Sequence, residues 1–484
     1  MNRSMAPDRL ATLVGDFPRS PAYRGLRQAL QELIGDGRIP LGTRLPSERA
    51  VTEVLGVSRN TVTRAYADLV AAGFATARQG AGTFAAVPID RRRAHDHALH
   101  AVGTATSSSD GTIDLNCAAG AATPGVSAAY ARALEALPAY LASDGYLPSG
   151  LPALRTRVAA SYAARGLPTA PEQIVVTSGA LSAIAIIARA LSRPGDRVMI
   201  ESPVYSNAIE ALRMGGARLV SSPMGDPLGE EGWDLAAIEA TLRQTSPRAA
   251  YLIPDFQNPT GFLMSDAQRV RYAAALRATR TIAIVDETLQ STRFSDASMP
   301  PPFAVHAPDA FTIGSASKLC WGGLRVGWIR APHEHVERLI ATRVQMDLGS
   351  SLFDQLVVAE MLAADNVLAT RRVQLRQRRD ALAGALREHL PDWRFRLPDG
   401  GLSLWVRMPH GSATQLVNEA ERRGVYLAPG PVFSVEGGAD TWLRVPYAKP
   451  EDTLVQAVQA IAEAWTQLPH RPAARRGDAK RLIA

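Results

Sequence analysis

The chain has 484 residues, of which 46% are hydrophobic and 20% charged, and carries a formal net charge of +7. That length calls for two or three domains. The hydrophobic content excludes a disordered or fibrous chain, and the basic balance fits a nucleic-acid partner without demanding one. Its two cysteines, Cys117 and Cys320, exclude a disulfide framework and suit a reducing cytosol.

Residues 1–21 are polar and lack the apolar core of a signal peptide, and no apolar run is long enough to span a bilayer. The expectation is a cytoplasmic protein without a membrane anchor. From Pro21 to Ile34, Tyr23, Leu26, Leu30, Leu33 and Ile34 recur at helical spacing. Gly35, Gly37, Pro40 and Gly42 break that helix. Pro46-Ser47-Glu48-Arg49 starts a second helix, which a glycine turn at Val54-Leu55-Gly56-Val57 closes. Ser58-Arg59-Asn60-Thr61 opens a third, with Val62, Tyr66, Leu69 and Val70 facing inward. Helix, short turn, helix is a DNA-binding arrangement whose second helix enters the major groove N-terminus first. Ser58, Arg59, Asn60 and Thr61 supply donors and acceptors suited to phosphates and base edges, and Arg64 lies on the exposed side. The stretch Gly73 to Phe84 alternates as a small hairpin, or wing, with Arg78, Gln79 and Gly80 at its tip.

Three pieces of this region resemble the winged helix of GntR-type regulators: Leu45-Pro46-Ser47-Glu48-Arg49, then Leu55-Gly56-Val57-Ser58-Arg59-Asn60-Thr61-Val62, then Arg78-Gln79-Gly80-Ala81-Gly82-Thr83-Phe84. The resemblance implies that Arg49, Arg59 and Thr61 contact operator DNA and that Gly80 lets the wing approach the minor groove. A winged helix-turn-helix is expected over 15–87, with a flexible linker over 88–112. The linker holds Arg91-Arg92-Arg93, three histidines (His95, His97, His100) and Ser107-Ser108-Ser109, with little to bury. No second ligand cluster accompanies the histidines, so no metal site is expected. The arginine run suits DNA phosphates without sequence preference.

From Ile113 onward helices alternate with short apolar strands, the pattern of an α/β domain with a mainly parallel sheet. Strands are expected over 173–177, 197–200, 250–253, 281–285 and 311–313. Chemistry-bearing residues lie just beyond each: Gly179-Ala180 opening an apolar helix, Tyr205, Asn258, Asp286 and the loop Ser315-Ala316-Ser317-Lys318. Ligands in open α/β sheets gather just beyond strand carboxyl ends. Only three lysines occur, Lys318, Lys449 and Lys480. Lys318 alone is framed by serines and glycines, and a Schiff base needs a lysine, since a guanidinium is not nucleophilic. Ser315, Ser317, Arg325 and the helix N-terminus at Gly179-Ala180 suit a phosphate. The cofactor these features point to is pyridoxal 5'-phosphate, PLP. Asp286 can pair with its ring nitrogen, Asn258 can donate to its phenolate oxygen, and Tyr205 can stack on the ring. Taken singly, Asp286 also reads as a helix cap, Asn258-Pro259 as a turn and Tyr205 as core.

Residues 113 to about 465 resemble fold-type I aminotransferases through Tyr146-x-x-Ser149-Gly150-Leu151, Thr177-Ser178-Gly179-Ala180, Asn258-Pro259-Thr260-Gly261, Val285-Asp286-Glu287, Ser315-x-Ser317-Lys318 and Leu324-Arg325-x-Gly327. A winged helix joined to such a domain resembles the MocR group of GntR regulators. The resemblance implies a PLP-dependent transferase fold over 113–466, with a mainly parallel large-domain sheet and a smaller C-terminal α+β subdomain, then a polar basic tail over 467–484. It implies Lys318 as the Schiff-base lysine, Arg444 as the arginine for an effector or substrate carboxylate, and a homodimer. One departure stands out: relatives carry a tyrosine just after the aspartate, whereas Asp286 is followed by Glu287, Thr288 and Leu289. The leading expectation is a transcription regulator that binds operator DNA and senses PLP or an amino compound reacting with it. The alternatives are a working PLP-dependent aminotransferase with a tethered DNA-binding domain, and a nucleoid-type DNA binder with an inert second domain.

Overall fold

The structure, a computed structural model, describes residues 4–35, 38–39, 42–78, 80–86, 112–295, 299–364 and 367–468. The linker arginines and histidines, Gln79, Lys480 and nearly all of the tail lie outside them. By internal contact the chain divides into Met1–His100 with Ala121–Arg132, and Ala101–Gly120 with Ala133–Ala484.

The first unit contains helices α1 (Pro7–Val14), α2 (Ala22–Gly35), α3 (Glu48–Leu55) and α4 (Arg59–Ala71), then the antiparallel pair β1 (Ala75–Arg78) and β2 (Gly82–Ala85). Leu10, Leu26, Leu30, Val51, Val62 and Leu69 are fully buried in one apolar core. The serines read as helix openers are caps: Ser47 Oγ accepts from the Ala50 N–H at 3.3 Å and Ser58 Oγ from the Thr61 N–H at 3.1 Å. Gly56, at φ +60°, makes the left-handed turn between α3 and α4 that a side chain would strain. Tyr66 Oη donates to the Pro46 carbonyl at 3.0 Å and pins α4 to the start of α3. Helix α1 was not expected from the sequence; it lies ahead of residue 15 and buries Leu10 and Val14 in the same core.

The second unit opens with β3 (Ile113–Asp114) and is built on a sheet of β4 (Ile174–Thr177), β5 (Arg197–Ser202), β6 (Arg218–Pro223), β7 (Ala249–Leu252), β8 (Ile282–Asp286), β9 (Phe311–Ser315) and β10 (Gly327–Arg330). Their order is β4-β10-β9-β8-β7-β5-β6. β10 is antiparallel to both neighbours, so β4 runs with β9, and the remaining pairs are parallel. β4, β7 and β9 are buried at every position, the continuous apolar run of a sheet covered on both faces. A smaller antiparallel sheet comes next, β11 (Arg394–Phe395), β12 (Ser403–Arg407), β14 (Ala428–Pro429) and β15 (Trp442–Pro446), in the order β11-β12-β15-β14. Leu404, Val445, Leu382, Leu386, Leu454 and Ile461 form a common core between that sheet and the helices Val367–His389 and Glu451–Thr466. β13 (Val425–Tyr426) pairs in parallel with β3 and so anchors the segment beyond Asp114. Among the described residues no helix is long and apolar enough to cross a membrane.

Candidate functional site

Because β4 runs with β9, the carboxyl ends of β4, β5, β7, β8 and β9 share one edge of the sheet. Gly179, Tyr205, Asn258, Asp286 and Lys318 all lie at or just past those ends. Asp286, the last residue of β8, is buried; its Oδ2 accepts from Tyr251 Oη at 2.7 Å and its Oδ1 from the Thr288 N–H at 2.9 Å. Burial pushes this carboxyl up from its ordinary range, while those two donors and the charge of Lys318 oppose the shift. Lys318 Nζ donates to the Ala118 carbonyl at 2.9 Å. Burial pushes its amine down, toward the neutral form a nucleophile needs; Cys117 and Asp286 oppose that, and Arg444 and Arg325 add to it.

Arg444, on β15, is buried and donates through Nη2 to the Asn116 carbonyl, while its Nε has no partner among the described residues. Its guanidinium lies 4.9 Å from the Phe433 ring centroid, and burial pushes its pKa down. Tyr205, Cys117 and the Asp114 carboxylate offset that push only in part. Tyr205 is half-buried, accepts from Asn207 Nδ2 at 3.1 Å and feels the charges of Asp286 and Arg444. The Asn258 loop packs beside the Tyr205 loop, since Gln257 Nε2 donates to the Pro203 carbonyl at 2.7 Å. The peptide bond between Asn258 and Pro259 is cis. Asn258 Oδ1 is buried without a partner among the described residues.

The phosphate candidates fall into two pairs. Ser315 Oγ caps the short helix Ala316–Leu319 by accepting from the Ser317 N–H at 3.1 Å, which sets Ser317 and Lys318 in one turn. Gly179, at φ +97°, precedes the helix Ala180–Leu191, and a methyl group on it would come within 2.6 Å of Arg325 Nη2. Glycine there lets the guanidinium close over a helix N-terminus with free N–H groups. Arg325 itself has φ +50° and donates to the Ser178 carbonyl at 3.3 Å. Below, Ser178 Oγ meets Asp347 Oδ2 at 3.0 Å and Ser350 Oγ at 3.2 Å, both held by the buried Arg343.

An amine pushed toward neutrality, a buried carboxylate near it, an amide side chain beyond a strand's carboxyl end and a guanidinium over a helix N-terminus are groups that suit, in turn, the aldehyde, ring nitrogen, phenolate oxygen and phosphate of PLP. Sequence reasoning missed Tyr251 and the segment from Asn116 to Ala118. Tyr251 was detectable as the one hydroxyl in the otherwise apolar Ala249–Leu252 strand; the segment carries no sequence signal, because its part is played by backbone carbonyls.

On the winged unit, Arg59 and Asn60 are exposed at the start of α4, and Thr61 is half-buried. Ser58 and Thr61 share a hydroxyl contact at 2.9 Å, so both serve the cap as well as any ligand. Arg49 is 89% exposed and pairs with Glu53 at 3.2 Å. Arg64 lies over the Tyr23 ring at 3.9 Å and Arg78 over Phe84 at 4.8 Å. Gly80, at φ +72°, makes the exposed wing tip.

Residues 129–461 match the family model of aminotransferase class I and II, and residues 22–85 that of the gntR family of bacterial regulatory proteins. The chain therefore belongs to the aminotransferase class I and II family, whose members are PLP-dependent, with a GntR-type DNA-binding domain ahead of it, as in MocR-like regulators. It is 30% identical to the probable rhizopine catabolism regulatory protein MocR of Rhizobium meliloti over 84% of this chain and 86% of that one. It is 28% identical to the HTH-type transcriptional regulator YisV of Bacillus subtilis over 93% and 96%. It is 32% identical to the 2-aminoadipate transaminase of Thermus thermophilus over 64% and 76%. The crystal structure of LysN, an alpha-aminoadipate aminotransferase of Thermus thermophilus complexed with N-(5'-phosphopyridoxyl)-L-leucine, superposes with a TM-score of 0.67 at 28% identity, covering 74% of this chain and 92% of LysN.

Proposed function

We propose that the chain is a transcription regulator whose second unit holds PLP and answers to it, or to an amino compound captured there, while the winged helix binds operator DNA. The observation that carries this reading is the Lys318 amine, bonded to one carbonyl and pushed toward neutrality beside Asp286. Bound at this site, PLP supplies an electrophilic carbonyl carbon that takes primary amines. Lys318 is the attachment point, Asp286 holds the ring nitrogen's proton, Asn258 binds the phenolate oxygen, and Tyr205 covers the ring. Ser315, Ser317, Arg325 and the N–H groups at Gly179 and Ala180 hold the phosphate. Arg444 takes an effector carboxylate with its fork.

The residues after Asp286 favour sensing over turnover. Glu287 pairs with Arg165 at 2.7 Å and Leu289 is buried in the apolar core, so no phenol comes directly after the aspartate; the phenol bonded to Asp286 is that of Tyr251, from a neighbouring strand. A homodimer is part of the same reading. Leu141, Tyr146, Met346 and Leu348 are large apolar residues left exposed on the second unit.

Borohydride reduction of the PLP-loaded protein and then peptide mapping test the reading. The pyridoxyl group is expected on Lys318, with none after Lys318→Ala; finding it on Lys449 or Lys480 overturns the assignment. In a steady-state assay with amino donors and keto acids, sustained multiple turnover would instead make the chain a working aminotransferase.

A further inference from the structure

Behind the turn that follows β4 lies a bonded network that the site described so far does not use. Ser178 donates through Oγ to Asp347 Oδ2 at 3.0 Å and shares a hydroxyl contact with Ser350 at 3.2 Å. Arg343, in the last turn of the helix His333–Val344, is fully buried and holds both of those partners. Its Nε donates to Asp347 Oδ1 at 3.0 Å and its Nη2 to Ser350 Oγ at 2.6 Å. Its remaining nitrogen, Nη1, donates to the Pro148 carbonyl at 3.3 Å. Burial pushes the guanidinium's pKa down, and Asp347 opposes the push. A buried ion pair contributes little net stability, because apolar side chains of similar volume often serve a fold as well. What this pair supplies is geometry.

The turn is gripped from its other side too. Arg325 Nη2 donates to the Ser178 carbonyl at 3.3 Å, and the chain then turns at Gly179, φ +97°, into the helix Ala180–Leu191. Ser178 is thus held by both its hydroxyl and its carbonyl, and those two holds aim the N–H groups at the start of the helix. The loop after Tyr146 belongs to the same network. Gln355, fully buried, accepts from the Leu151 N–H at 2.7 Å and donates to the Ser350 carbonyl at 2.9 Å. The Ser149 carbonyl accepts from the Val176 N–H of β4 at 3.0 Å. Asp347 sets two effects against each other. Its side chain is 28% exposed and lies one hydroxyl away from the turn, so its charge alone weakens an anion there. Its hold on Ser178 does the opposite, by keeping the helix N–H groups on target.

We propose that Arg343 and Asp347 are positioning residues for the phosphate: acting through Ser178, they aim the turn at it and pass its presence on to residues 147–151. Selection of PLP over pyridoxal, the same aldehyde without a phosphate, therefore depends on two side chains that act through a third. This rests on the PLP reading above.

The test is an absorbance titration of the full chain, freed of cofactor, with PLP and with pyridoxal. The wild type is expected to prefer PLP. In Asp347→Ala and in Arg343→Lys, which keeps the charge and loses the fork, the ratio of the two affinities should fall about tenfold, the size of one charge-assisted contact. A ratio that rises in Asp347→Ala shows the carboxylate acting only as a repelling charge and overturns the proposal. An unchanged ratio overturns it too, as does an equal loss of both aldehydes with a lower melting point, which makes the pair structural. Hydrogen exchange reads the coupling: PLP should slow exchange over 147–151 and 347–350 more than pyridoxal does, and Asp347→Ala should erase that difference. Equal exchange with the two aldehydes in the wild type also overturns the proposal. All these failures leave the PLP reading standing, whereas a pyridoxyl group on a lysine other than Lys318 brings down both.

Discussion

Glu201 joins the two loops that carry Tyr205 and Asn258. Its Oε1 accepts from Trp233 Nε1 at 2.7 Å, and its Oε2 from the Ile253 N–H at 3.2 Å and Gln257 Nε2 at 3.4 Å. Burial pushes the carboxyl up from 4.5 to about 7, against those three donors and with a further push from Asp286. Between those two values the folded chain holds a proton that the unfolded chain releases, so stability falls as pH rises from about 4.5 to about 7 and levels off above. At 1.36 kcal/mol per pKa unit the full effect is roughly 3 kcal/mol. Glu201→Gln cannot ionise and should lose this dependence. Melting curves of both proteins at pH 5, 6.5 and 8 should show the variant gaining on the wild type as pH rises; a constant difference would mean that Glu201 ionises in its ordinary range.

At the scale of elements, the recognition helix separates contacts that position from contacts that read. Arg59 is exposed in the first turn of α4, where a side chain reaches base edges. Arg49 lies on α3, and its exposed pair with Glu53 is worth too little to keep it from a phosphate. Arg59→Ala should cost operator affinity far more than random-DNA affinity, a bidentate guanine contact being worth about 1–3 kcal/mol of discrimination. Arg49→Ala should weaken both and reduce the log–log salt slope by about one. Salt titrations of operator and random DNA decide this: equal losses for Arg59→Ala pass base reading to Asn60, Thr61 or Arg64. Much of this unit was legible because its signals are local: capping serines, the Gly56 turn and the apolar stripe of α4. The strands that lead to Gly179, Asp286 and Lys318 were legible for the same reason, as short apolar runs with polar residues at or beyond their ends. Helix α1 was not, because Leu10 and Val14 are too few to mark a stripe until the core accepts them. Nor was the antiparallel β10, whose direction is set by pairing with β4 and β9 from distant parts of the chain. The 116–118 segment stayed hidden because carbonyl oxygens, not side chains, meet Lys318 and Arg444.

For the whole molecule, the proposed homodimer sets how strongly the winged helices can grip DNA. Leu141 is 70% exposed, Tyr146 62% and Met346 42%, a set of large apolar groups that a monomer would leave in water. Tyr146 is followed by Leu147, whose carbonyl oxygen lies 3.4 Å from where a Cβ on Gly349 would sit, so the loops bearing Tyr146 and Leu348 adjoin. If two copies join there, a second winged helix would bind one operator as a tethered ligand at raised effective concentration. Charge on this surface should undo that without touching the DNA-binding residues. Leu141→Glu with Met346→Glu should shift the protein from dimer to monomer in sedimentation velocity. Phosphate contacts add across the two half-sites, and the slope of log affinity against log salt is roughly −0.9 per phosphate neutralised. The slope for the full operator should therefore fall to about half in the monomeric variant, while binding to an isolated half-site stays as in the wild type. A monomeric variant that keeps the wild-type slope on the full operator would show that one winged helix carries all the phosphate contacts, and the paired arrangement would be wrong. A wild type that sediments as a monomer at micromolar concentration would remove the premise directly.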